Sequence, residues 1–282
     1  RNTLPFLRYF NGTFDFKWPM IELQSLVPNL AGMEVLITAT VGEKFYDEIL
    51  SGYSVARIYN SSIRVSFLGE SPQVFKPTMP FTVYLVAEYH DGSAIETELL
   101  GQSIMDVTGF VESKNGGRRD WPAQRLIMSA HRPGIWEVKI DLRNDLQLDD
   151  RLQSVEFLNG ITQMRLQANF VDPRGERDHT EVLLVSHYSP RNQHIKVSMS
   201  TEKPTVGQYI IFHIRTNFYL DEFNYLIMSK GVILVNDRET ITEGQRTIAV
   251  VLSAEMAPVA TIVVWKITQL GQIVADSLTF PV

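Results

Sequence analysis

Cysteine is absent from this 282-residue chain. That removes disulfides, thiolate metal sites and cysteine nucleophiles from consideration. Taken alone the absence fits a reducing compartment, although large β domains also fold without bridges. Long apolar runs are missing too, since no stretch approaches the roughly 18 residues that span a bilayer. An excess of positive charge is lacking: 26 Lys and Arg stand against 32 Asp and Glu, for a net charge of −6. The clustered basic surface that phosphate backbones require is not suggested, so no nucleic-acid partner is implied. Helical periodicity is nearly missing, the best candidate being a short turn around Asp149 to Phe157.

What is present is a period of two. Phe14, Phe16 and Trp18 alternate with polar neighbours, as do Val35, Ile37, Ala39 and Val41, and Ile63, Val65 and Phe67. Further sets are Phe81 to Ala87, Trp136 to Ile140, Met164 to Phe170, Ile195 to Met199, Ile210 to Ile214 and Ile248 to Leu252. Such alternation marks half-buried strands. Thr261-Ile-Val-Val-Trp265 reads as a strand buried on both faces. Turns of the antiparallel kind separate the strands, at Asp91-Gly92, Asn115-Gly116-Gly117, Asn159-Gly160, Lys230-Gly231 and Leu270-Gly271. They leave no room for the crossover helices of a parallel sheet. The expected fold is all-β, in tandem antiparallel β-sandwiches. At roughly 100 residues per sandwich the length accommodates two or three.

One local echo sets the organisation. Val74-Phe-Lys-Pro-Thr-Met-Pro-Phe-Thr-Val-Tyr-Leu85 resembles Glu202-Lys-Pro-Thr-Val-Gly-Gln-Tyr-Ile-Ile-Phe212. In each, Lys-Pro-Thr precedes an aromatic and an apolar strand, with proline pre-setting φ where no ladder donor is wanted. Boundaries are therefore expected near Glu70 and Ser189-Pro190, giving modules over 1–69, 70–190 and 191–282. The chain opens on Arg1-Asn2-Thr3 without Met or a signal core and stops at Phe280-Pro281-Val282, which reads as an excised segment. Two sequons, Asn11-Gly12-Thr13 and Asn60-Ser61-Ser62, mark Asn11 and Asn60 as glycosylation candidates and argue for a secreted chain.

Phe75-Lys-Pro-Thr-Met-Pro-Phe81, with Asp91-Gly92-Ser93 downstream, resembles the opening of the fourth macroglobulin domain in the α2-macroglobulin and complement family. Tyr225-Leu-Ile-Met-Ser-Lys-Gly231 and Ala275-Asp276-Ser277 are similar to that family's fifth domain, and residues 1–69 take the position of the third. Thr78 departs from the family's usual glycine. Met256-Ala-Pro-Val-Ala260 is most similar to invertebrate members, among them insect thioester-containing and macroglobulin-complement-related proteins. The resemblance implies a seven-stranded fibronectin-III-like sandwich per module and extracellular work in innate immunity or protease control. It implies partners in neighbouring macroglobulin domains, with proteases or microbial surfaces met by other parts of the parent. The bait region and the thioester motif Gly-Cys-Gly-Glu-Gln are implied to lie outside this chain.

Candidate chemistry is sparse. His179 and His187 with Asp178 form the one histidine cluster with a claim on metal, but eight residues along a strand separate the two. Asp149-Asp150 and Asp221-Glu222 are adjacent pairs rather than carboxylates facing across a cleft. No Gly-x-Ser-x-Gly elbow occurs. The expectation is a non-enzyme without cofactor or metal. Ser113-Lys-Asn-Gly-Gly-Arg-Arg-Asp120 reads as an exposed, protease-sensitive loop carrying Lys114, Arg118 and Arg119. Phe218, Tyr219 and Phe223 are expected to pack against a neighbouring module. Two other functions fit the composition: an adhesion or receptor ectodomain that would show a large apolar patch, and a carbohydrate-binding or hydrolytic sandwich that would show a lined cleft.

Overall fold

The computed structural model describes residues 10, 12–27, 29–43, 45, 48–69, 73–128, 132–149, 151–201 and 203–282. The chain divides into two compact units, residues 1–62 and 63–282. In the first, a short helix α1 (Met20–Leu26) precedes an antiparallel hairpin of β1 (Glu34–Gly42) and β2 (Ile49–Arg57). The ladder runs from Glu34↔Arg57 to Gly42↔Ile49. Ile58 closes it, accepting from Gly32 N at 2.9 Å and donating to Met33 O at 2.9 Å. Phe14, Phe16 and Trp18 do not form the expected strand, and no described residue of 10–62 is buried. The described part of this unit is thus a two-stranded ladder rather than the sandwich expected over 1–69. Two strands have too little shared apolar face to enclose a core.

The second unit holds two hydrophobic cores. The first lies between the sheet β3-β5-β8 and the sheet β4-β10-β9-β6-β7. These strands are β3 (Ile63–Phe67), β4 (Gln73–Phe75), β5 (Phe81–Tyr89), β6 (Ile104–Ser113), β7 (Arg118–Leu126), β8 (Ile135–Ile140), β9 (Ile161–Val171) and β10 (Arg177–Ser186). Alternation turns one set of each strand inward: Val83, Leu85 and Ala87 from β5 meet Met164, Leu166, Ala168 and Phe170 from β9. Such face-to-face burial is what defines a sandwich. Trp136 of β8 meets Phe170 edge-on with ring centroids 5.9 Å apart. Three short helices decorate the sandwich: α2 (Thr97–Gly101), α3 (Leu142–Asp145) and α4 (Leu152–Gly160). Asp141 caps α3 by accepting from Asn144 N, and Asp145 accepts from Trp121 Nε1 at 2.9 Å, tying β7 to the helix. Asn159-Gly160, read as a hairpin turn, instead ends α4. The bulge in β6 between Val107 and Gly109 needs its glycine, because a Cβ there would stand 2.4 Å from the Arg165 carbonyl oxygen.

One boundary moves. Ile63–Phe67, expected to close the module before residue 70, pairs with β5 through Ile63↔Tyr89 to Phe67↔Leu85. It is the first strand of this sandwich. The inward face of Ile63 and Val65 completes the core over Val83 and Leu85, which joins the strand to the residues downstream of it rather than to those upstream.

The second core lies between β11-β12-β15 and β14-β13-β16-β17. Its strands are β11 (Ile195–Met199), β12 (Tyr209–Thr216), β13 (Glu222–Ser229), β14 (Val232–Thr240), β15 (Gln245–Val251), β16 (Val259–Ile267) and β17 (Ile273–Pro281). The topology repeats that of the first sandwich, with β11-β12-β15 standing for β3-β5-β8 and β17-β16-β13-β14 for β10-β9-β6-β7. Lys230 and Gly231, both at positive φ, make the tight β13–β14 turn. Thr261–Trp265 is buried on one face only: Ile262 and Val264 point into the core, whereas Val263 and Trp265 are half-exposed on the outer face.

Candidate functional site

The repeated Lys-Pro-Thr segments lie in the connection between first and second sheet strands of their sandwiches, after β4 and before β12. The echo extends further upstream: β3 reads Ile63-Arg-Val-Ser and β11 reads Ile195-Lys-Val-Ser. Each of these strands is pinned in the same way. Val65 N donates to Asp178 Oδ2 of β10 at 2.7 Å, and Val197 N donates to Asp276 Oδ2 of β17 at 2.8 Å. A carboxylate on the last strand thus satisfies an amide that the first strand's own ladder leaves free. Asp178, a metal-ligand candidate on sequence, has this structural task.

Asp276 also takes a bond from the other sandwich. Lys76 Nζ reaches Asp276 Oδ1 at 2.7 Å and Ile195 O at 2.6 Å, and the two charged side chains are only 13% and 23% exposed. Lys196 returns the gesture by donating to Pro80 O. Burial draws the Lys196 ammonium below its ordinary pKa, with Lys76 and Arg215 adding to that and Asp276 opposing it. Thr78, two residues after Lys76, accepts from Asn217 Nδ2 at 2.8 Å. Lys76, Thr78 and Pro80 therefore form a clasp that grips the following sandwich.

The linker between β10 and β11 completes the junction. His187 N donates to Phe75 O at 2.7 Å, and Gln272 Nε2 donates to Ser189 Oγ at 3.0 Å. Asn217 holds the linker's far end, its Oδ1 accepting from His194 N at 2.7 Å and its Nδ2 donating to Asn192 O at 2.6 Å. The His194 ring stacks edge-on against His187 with centroids 5.7 Å apart. His194 is 3% exposed and its Nδ1 has no hydrogen-bond partner. Its pKa falls to about 4, first because burial disfavours the charged ring and then because His187 and Lys76 face it. A cavity of about 440 Å³ lies beside the clasp, lined by Phe75, Met79, Phe81, His187, Val263 and Ala275 among others. It has no facing carboxylates, and no group of three potential metal ligands occurs among the described residues.

The residues expected to pack between modules divide. Phe218 is half-buried and lines a second groove between the sandwiches, but Tyr219 is 93% exposed and Phe223 is 0% exposed inside its own core. Phe223 is the second residue of β13 and faces its own core, and Tyr219 is solvated beside the buried Leu220, so neither packs on the neighbour. The contact falls to Asn217, which donates to Thr78, while Phe218 packs against its own core at the edge of the groove. His179 stands within β10 opposite Asn169, and His187 lies past the strand's end, so the two do not converge. Asn60 is exposed at a bend. Asn11, Asp150 and His131 lie outside the described residues.

The basic loop is tighter than expected. Arg118 and Arg119 belong to β7, paired with Glu112 and Val111 across a four-residue turn that includes Lys114. Arg118 lies over the Phe110 ring at 3.5 Å and Arg119 over Phe157 at 4.4 Å. Proteases need several residues freed from such pairing. Under limited trypsin digestion, the bonds after Lys114, Arg118 and Arg119 should stay intact until the sandwich unfolds, as read by mass spectrometry of timed samples. Early release of a fragment ending at Arg118 would refute this.

No helix among the described residues is long and apolar enough to cross a membrane. A family model described as the alpha-2-macroglobulin bait region domain matches residues 195–282, the second sandwich. Two solved structures are among those to which the chain is similar. One is a tetra-tandem repeat from the extending region of a large adhesion protein, 12% identical over 89% of this chain and 57% of that one, with a TM-score of 0.27. The other concerns host cell surface retention of a 1.5-MDa bacterial ice-binding adhesin, 14% identical over 78% and 64%, also at 0.27. The chain spans less than two thirds of either, and likeness this low carries no argument.

Proposed function

We propose that this chain is a non-catalytic scaffold segment of an extracellular α2-macroglobulin-like protein, serving innate immunity or protease control. The match of residues 195–282 to a domain of that family supports the affiliation. The observation that carries the mechanical reading is the clasp. Lys76, Thr78 and Pro80 join two separate cores so that both sandwiches fall in one compact unit. Independent sandwiches on a flexible linker would share no largely buried ion pair. The segment holds a fixed angle and distance between whatever parts of the parent lie on either side. The matched domain's name refers to a bait region, whereas residues 195–282 form a closed sandwich whose longest interstrand connection is the stretch 200–208. A protease-cut segment is accordingly assigned to other parts of the parent.

Because the chain has no cysteine, a pair introduced as Ala123→Cys and Lys230→Cys can be spin-labelled cleanly. The expected result is one narrow inter-sandwich distance, broadened at least twofold by Lys76→Glu. A distribution that is broad from the start, or unmoved by Lys76→Glu, would refute the scaffold reading.

A further inference from the structure

The cavity of about 440 Å³ beside the clasp opens between the two sandwiches, and the residues that line it are of two kinds. Its walls are apolar. Phe75 and Phe81 of the first sandwich stand with ring centroids 5.1 Å apart, and Met79 lines the same side. Val263 and Ala275, on the outward face of β16 and β17, form the side that the second sandwich supplies. Val74 at the rim is 68% exposed, so the mouth reaches solvent. The volume falls within the range of about 300–1,000 Å³ that small-molecule sites occupy, and a junction between domains is a common place for one.

The charges of the cavity do not balance. Two ammonium groups, Lys76 and Lys196, line it with one carboxylate, Asp276. Both oxygens of Asp276 are engaged, Oδ1 by Lys76 and Oδ2 by the Val197 amide. Lys196 gives its bond to a neutral carbonyl, Pro80 O. An ammonium carries three donors and no acceptor, so Lys196 keeps donors to spare and a positive charge against apolar walls. Burial depresses its pKa, Asp276 opposes that, and Lys76 and Arg215 deepen it. A half-buried cation whose nearest carboxylate already serves another lysine is a place where a negative charge is wanted.

We infer that this cavity is a binding site for a small amphipathic carboxylate, whose charged head pairs with Lys196 while its apolar tail lies against Met79, Phe81 and Val263. The head supplies the missing negative charge and accepts the unused ammonium donors. The tail takes apolar wall out of water. A bare anion leaves the walls wet, and a neutral apolar molecule buries Lys196 further without a counter-ion. The inference goes beyond the scaffold reading but rests on it, because the cavity has two walls only while the junction is fixed.

The test is a calorimetric titration of the full chain with decanoate, kept below its micelle-forming concentration. The expected result is one site that saturates below roughly 1 mM. Decanol has the tail without the charge, and acetate has the charge without the tail. Each should bind at least about tenfold more weakly, the factor that the loss of one charge-assisted bond corresponds to. Lys196→Met should weaken decanoate by a similar factor. Ala275→Trp, which fills the cavity from an exposed strand position, should remove the site. Decanoate binding that is absent, that decanol or acetate matches, or that survives Ala275→Trp overturns the inference, since in the last case the ligand sits elsewhere. The Ala123→Cys/Lys230→Cys distance tells the two readings apart: a narrow distance without such binding refutes the cavity site alone, and a broad one refutes the scaffold reading and the cavity with it. Where Lys196→Met itself broadens that distance through loss of the Pro80 bond, Ala275→Trp and the two control ligands decide.

Discussion

Asp276→Ala is expected to lower the stability of the second sandwich by roughly 3 kcal/mol, because one carboxylate serves two groups that have no alternative. Its Oδ2 satisfies the Val197 amide and its Oδ1 neutralises Lys76 in a largely desolvated pair. Alanine leaves the amide unpaired and the ammonium with the Ile195 carbonyl alone. Trp265 is the only tryptophan between residues 195 and 282, so its resolved 19F resonance in 5-fluorotryptophan-labelled protein isolates this sandwich in a urea titration. The sister substitution Asp178→Ala removes only the bond to Val65 and should cost about 1.5 kcal/mol. The excess at Asp276 belongs to the clasp, and adding Lys76→Met to Asp276→Ala should recover part of it, since no unpaired ammonium then remains. Equal costs at Asp178 and Asp276 would mean that the ion pair contributes nothing and that the clasp is held by its neutral bonds.

The strands were legible because burial imposes a period of two, and Met164, Leu166, Ala168 and Phe170 all face the core as their spacing demands. The Lys-Pro-Thr echo was legible as a turn, but its grip on the next sandwich was not. A lysine before proline has the same local chemistry whether it is solvated or clasped, and the partner that decides, Asp276, is 200 residues away. The upstream echo of Ile63-Arg-Val-Ser in Ile195-Lys-Val-Ser was the available signal for the correct first boundary, since it marks both as opening strands. Aromatic content misled at Tyr219 and Phe223. Composition reports that an aromatic prefers burial, but strand phase decides which way it faces, and Phe223, second in β13, is in the inward phase. The basic stretch at Lys114 to Arg119 read as a loop because charge there suggested solvation. The guanidinium faces stack instead on Phe110 and Phe157, which lets arginine occupy an edge strand.

Stability should also fall as the solution is acidified from pH 7 to pH 4, and His194 should account for a separable part of the loss. Its folded pKa of about 4 lies below the ordinary 6.5, so the unfolded chain takes up a proton across that window that the folded chain does not. The folded state is therefore penalised progressively as pH drops below 6.5, and the penalty stops growing below about 4, where both states are protonated. The difference between the two values corresponds to about 3 kcal/mol, and screening by water at the junction brings the expected loss to roughly 2 kcal/mol. The groups that face the ring are His187 and Lys76, and a proton on His194 would place a second or third positive charge beside the clasp without any acceptor for Nδ1. Carboxylates elsewhere titrate near the lower end of the same window, so the measurement is a difference. Urea titrations followed by the 19F resonance of 5-fluorotryptophan-labelled Trp265 at pH 7, 5.5 and 4 should show a shallower pH dependence in His194→Leu than in the natural chain, with the gap opening between pH 6.5 and 4. Parallel pH profiles would mean that the folded protein accepts the proton without cost, through a rearranged linker that gives Nδ1 a partner.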